Sequence, residues 1–137
     1  ALMNAEEFAQ LVLKQADQEK DFAPFAVYDP DGDCIEFIAK PDAYFAERID
    51  GIVTVYYSED SNEIIGAQIK GIKSLMRQSP GLAIEVEDGP VKLHFLLRAR
   101  IWQKDPKSAQ IPVIQYKKLI SLAEANDATV DLHSLVA

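Results

Sequence analysis

Between Phe25 and Lys70, apolar and polar residues alternate in short runs separated by dense turn formers, a rhythm that predicts β-strands. Pro24 ends any preceding helix, and Phe25-Ala26-Val27-Tyr28 is the first run. Asp29-Pro30-Asp31-Gly32-Asp33 then reads as a turn, because Pro presets φ, Gly allows positive φ and Asp bonds its own backbone. From Cys34 to Lys40, Ile35, Phe37 and Ala39 share one face, and Cys34, Glu36, Ile38 and Lys40 the other. Residues 25–40 therefore predict a hairpin. Pro41-Asp42 turns the chain into a third strand, Tyr44 to Ile49, and Asp50-Gly51 turns it again. Ile52 to Tyr57 is β-branched and aromatic on both faces, which predicts a central strand. After Ser58 to Asn62, Glu63 to Lys70 closes a meander, and Gly66 inside it signals a bulge or a close backbone approach.

The flanks read differently. Phe8, Leu11, Val12 and Ala16 recur at helical spacing behind Asn4, with Glu7 three residues on, which predicts a capped helix over 5–19 packed on the sheet. Gly71 to Gln78 is a short helix or irregular link, stopped by Ser79-Pro80-Gly81. Leu82, Ile84 and Val86 alternate as a further strand. Val91 to Trp102 supports two readings. Its odd positions are all apolar, as in a strand after an Asp88-Gly89 turn. Its Leu, Arg and Ala content favours a helix capped by Asp88, the preferred of the two. Lys104 to Gln110 is a polar loop. Pro112 opens a helix to about Asn126, with Val113, Tyr116, Leu119, Ile120 and Ala123 on one stripe, and the tail adds a turn. The expectation is one α+β domain over residues 1–137: a β-meander of four to five strands over 25–72, an N-terminal helix and a helical part over 88–137.

Composition narrows the function classes. A chain of 137 residues with 48% hydrophobic and 26% charged residues is one ordinary globular domain. Its net charge of −8 argues against a phosphate-backbone partner, so no nucleic acid is expected. Lys70, Lys73 and Arg77, and Lys92, Arg98, Arg100 and Lys104, read as solvated faces. No apolar run approaches the roughly 20 residues of a membrane span, so no membrane is expected, and Met3 reads as the natural start. The lone Cys34 excludes an internal disulfide and suggests a reducing, cytoplasmic setting.

Candidate chemistry is sparse. Asp29, Asp31 and Asp33 surround a glycine as calcium ligands do, but Cys34 and Lys40 stand where such a loop needs Gly and Glu, so a turn is the better account. Cys34 is a candidate nucleophile only with a lowered pKa, which its acidic neighbours oppose. His94 is a candidate base, alone or in a Cys34–His94 dyad; His133 sits in no metal spacing. Glu36, Glu47, Glu85 and Glu87 could pair as carboxylates, without a specific signal. The glycines form no phosphate cradle, and no cofactor is expected.

Tyr28-Asp29-Pro30-Asp31-Gly32-Asp33, Ile35-Glu36-Phe37, Ile52 to Tyr57 and Ile64-Ile65-Gly66-Ala67-Gln68-Ile69 resemble a small bacterial family of domains of unknown function. That family has a Tyr-Asp-Pro hairpin, a strand ending in an acidic turn and an Ile-x-Gly-x-x-Ile strand. The resemblance covers 25–72 and implies a short β-meander with a helix and a bacterial source, but no activity. Tyr56, Tyr57 and Ser58 displace the acid that follows the family's central strand. The favoured expectation is a non-enzymatic acidic interaction or assembly module, a homodimer, with a protein partner as a further option. The alternative is a ligand-binding or hydrolytic enzyme using His94 and carboxylates between the sheet and the C-terminal helices. A dimer would use the flanking strands, Phe25–Tyr28 and Tyr44–Ile49, with Phe25, Tyr44 and Phe45.

Overall fold

The computed structural model describes residues 4–10, 22–78, 90–102, 112–132 and 135. The expected helix over 11–19, the stop at 79–81, the strand over 82–86, the turn at 88–89 and the loop over 104–110 lie outside the described residues, as do Glu85, Glu87 and His133.

Residues 5–10 are helical (α1). The expected N-cap is present, since Asn4 Oδ1 accepts the Glu7 N–H at 2.8 Å. Five strands follow: β1 Phe25–Asp29, β2 Cys34–Ile38, β3 Tyr44–Arg48, β4 Val53–Ser58 and β5 Ile64–Lys70. They form one antiparallel sheet, and the α+β class is as expected.

Strand order departs from a simple meander. It is β1-β2-β5-β4-β3, so β1–β2 and β3–β4–β5 follow one another as neighbours while β2 and β3 do not, and β5 rather than β4 is central. This is a Greek-key order, with the 39–43 link crossing the ends of β5 and β4. The link is bonded along its course: Ala39 N–H donates to Ile65 O at 2.7 Å, and Glu59 N–H donates to Ala43 O at 2.8 Å. The Ser58 hydroxyl donates to Asp42 at 2.9 Å. Alternation within each strand predicts faces but carries no information on which strands are neighbours.

Gly66 fulfils both of its expected roles. The β4–β5 register shifts between Tyr56 and Tyr57, so β5 carries a bulge there. A Cβ on Gly66 would also overlap the Phe37 carbonyl oxygen on β2.

One sheet face carries Ile35, Phe37, Val53, Val55, Ala67 and Ile69 into the main core. Helices α2 Ile72–Gln78, α3 Leu93–Trp102 and α4 Val113–Ala125 complete that core. Val91–Lys92 is a short strand, β6, so the ambiguous segment is strand for two residues and helix thereafter. The burial pattern explains the outcome: Leu96 is buried and Phe95 is 38% exposed, the reverse of what alternation would give. The tail adds the expected turn, where Leu135 N–H donates to Leu132 O at 2.9 Å, and a short strand before it that was not expected. Thr129–Val130 forms β7, paired antiparallel with β6. On the opposite sheet face Ile38, Tyr56 and Ile65 are buried, with Phe22, Phe25 and Tyr44 packed against them.

Candidate functional site

Two of the three turn aspartates, Asp29 and Asp33, serve local structure through their carboxylates. Asp29 Oδ1 accepts the Asp31 N–H at 3.0 Å. Asp33 Oδ1 accepts the Tyr28 hydroxyl at 2.7 Å and the Lys73 N–H at 3.1 Å, so it ties the hairpin to the start of α2. The positive φ of the turn falls on Asp33 (51°), not on Gly32 as expected. Gly32 supplies space instead: a Cβ there would lie 3.0 Å from Asp29 Oδ2. Among the described residues no group of three His, Cys, Asp or Glu side chains could hold a metal ion.

Cys34 and His94 are not brought together. Cys34 is buried beside Glu36 on the sheet face away from the helices, and its thiol is pushed up to about 11, chiefly by burial and then by Glu36. His94 lies on α3, which packs on the other face. Its Nδ1 accepts from Arg98 Nε at 3.3 Å and stands 3.8 Å from Glu124. Arg98 also pairs with Glu124, Lys92 with Asp127, and Arg100 faces Asp50 at 3.9 Å. Of the second basic stretch, Lys92, Arg98 and Arg100 are thus each met by an acid, and Lys104 lies outside the described residues.

Two polar constellations come to light only in the folded chain. Glu36 is buried, accepting the Tyr56 hydroxyl at 2.5 Å and the Gln68 amide at 2.8 Å. Burial raises its pKa, against the lowering effect of those two bonds. It does not pair with Glu47, which is exposed on β3. Asp50 closes the β3–β4 turn by accepting the Ile52 and Val53 N–H groups, each at 2.8 Å. Its other oxygen accepts the Tyr116 hydroxyl of α4 and faces Arg100 of α3.

The surface offers two candidate sites. The first is the outer edge of β3. The sheet ends on β1 and β3, the two flanks expected from the sequence. Four of the five β3 residues are exposed. Ala43 and Ile49 bond toward β4, so by alternation Phe45 and Glu47 do as well. The N–H and C=O groups of Tyr44, Ala46 and Arg48 therefore point outward. Phe45 is 44% exposed and stacks on Tyr57 with centroids 5.4 Å apart.

The second is an open cleft of about 640 Å³ between the β4–β5 turn and α4. Tyr57, Asn62, Glu63 and Ile64 form one wall, and Lys117, Lys118, Ser121 and Leu122 the other. His94 does not line it. Two adjacent lysines, followed at i+4 by Ser121 and Leu122, were the available sequence signal for the second wall. Among the described residues no helix is long and apolar enough to cross a membrane. No family model matches the chain, and neither does any curated protein or solved structure.

Proposed function

We propose that the protein is a non-enzymatic assembly module that forms a two-fold dimer by antiparallel pairing of β3 with β3 of a second copy. The single observation that carries this reading is the self-complementarity of that edge. With the axis at Ala46, the outward backbone groups of Tyr44, Ala46 and Arg48, unpaired among the described residues, meet their own kind in hydrogen-bonded register. Tyr44 then faces Arg48 and Phe45 faces Glu47, so no like charges stand opposite each other. Ala46 at the axis leaves room for close approach. A bacterial source, shared with the small family that the Tyr28–Asp33 hairpin and Ile64–Ile69 strand resemble, belongs to the same proposal. So does a cytoplasmic setting, supported by the single free and buried Cys34.

Sedimentation equilibrium of the wild type and Ala46→Pro tests the dimer. Proline removes an outward N–H and leaves the β3–β4 ladder intact. The expected result is a wild-type dimer at low micromolar concentration and a folded Ala46→Pro monomer. Phe45→Glu should also weaken the dimer by facing Glu47, and Phe45→Glu with Glu47→Lys should restore it. A wild-type monomer at the highest soluble concentration, or a dimer indifferent to all three variants, defeats the proposal.

A further inference from the structure

We propose that the cleft between the β4–β5 turn and α4 binds a small organic anion, with Lys117 and Lys118 holding its carboxylate or phosphate and Tyr57, Ile64 and Leu122 receiving its apolar body. The inference rests on the cleft alone and holds for monomer or dimer.

Helical spacing builds the cationic wall. Lys117 and Ser121, and Lys118 and Leu122, are i, i+4 pairs, two neighbouring stripes of α4 that both border the cleft. No described residue forms an ion pair with either lysine, whereas Lys92 and Arg98 each have an acid partner. Both lysines line the cleft, so an anion seated there meets two positive charges. The Ser121 hydroxyl, one turn on, adds a donor.

Across the cleft, Tyr57 and Ile64 are half-buried, as is Leu122 on the α4 wall. Tyr57 is held flat by its stack on Phe45, which makes a ledge for an aromatic or branched group. Glu63 is the one carboxylate in the lining, and it already faces Lys40 at 3.8 Å. A volume of about 640 Å³ falls within the range of small-molecule sites and far exceeds what a bare ion needs. A few convergent polar groups over an apolar floor select an amphipathic anion over inorganic phosphate.

Amide-resolved NMR titration of the full chain tests the site with four probes: phenyl phosphate, benzoate, inorganic phosphate and benzyl alcohol. Saturable shifts are expected at Tyr57, Asn62 and Ser121 with phenyl phosphate or benzoate, and which of the two binds more tightly identifies the anionic group. Lys117→Gln with Lys118→Gln should weaken binding by roughly tenfold, as two solvent-exposed charge contacts would. These are exposed helix positions, and circular dichroism checks that the variant is folded. The proposal is overturned by an absence of saturable shifts, by binding unchanged in the double variant, or by equal affinity for inorganic phosphate or benzyl alcohol.

Discussion

Glu36 is a carboxyl group buried on a sheet face, with two donors and, among the described residues, no cation bonded to it. Its folded pKa is raised by burial above the ordinary value near 4.5, which the unfolded chain retains. Between the two values the folded chain binds the proton and the unfolded chain does not, so stability falls as pH rises through that window. Glu36→Gln keeps the shape and can accept from Tyr56 while bonding Gln68. Urea titrations from pH 4 to 8 should find this component of the pH dependence missing in Glu36→Gln, with stability at pH 7 equal to or above wild type. Gly66→Ala should cost about 3 kcal/mol, the upper end for overpacking, because its methyl meets the Phe37 backbone rather than a movable side chain. The role of Gly66 was legible in the sequence, since a glycine inside an apolar strand marks a bulge or a close backbone approach. The Glu36 network was not. Alternation places Glu36, Tyr56 and Gln68 on strand faces, but only the β2–β5–β4 order makes them neighbours.

At the scale of elements, most turn and cap chemistry with a local partner was readable, although the positive φ of the first hairpin turn falls on Asp33 and not on Gly32. Asn4 and Glu7, the Pro112 start and Asn126 stop of α4, and all five sheet strands follow from patterns within a few residues. What escaped was chemistry reaching across elements. Asp50 announces a turn in the sequence, yet it also anchors α4 through Tyr116 and faces Arg100 on α3. Asp50→Ala should therefore destabilise by about 3 kcal/mol, more than a turn residue alone would, because Tyr116 and Arg100 lose a half-buried charged partner. Tyr116→Phe should cost about 1–2 kcal/mol, as one bond to a charged acceptor is lost. Thermal denaturation of both variants checks the ranking. Equal, small losses would mean that Asp50 acts only within its turn.

For the whole molecule, charge and topology set the behaviour. Each copy carries −8, so two copies repel at low ionic strength, while the backbone bonds of a β3 pair are indifferent to salt. The affinity of the proposed dimer should rise as sodium chloride goes from about 10 to about 150 mM, the range over which screening tightens, measured by sedimentation equilibrium; a fall would place attractive ion pairs at the interface instead. The crossing link 39–43 has a further consequence. Glu36 and Gln68 bond across strands although they stand 32 positions apart, and Asp33 caps α2 from 40 positions away. Contacts of such separation can form only after loop entropy has been overcome, and chains dominated by them fold slowly. The consecutive hairpins β3–β4–β5 close with short loops and can assemble first, giving β2 an edge on which to dock. Until it docks, β5 is itself an open edge, so the folding chain exposes for a time a second strand that a neighbouring chain could occupy.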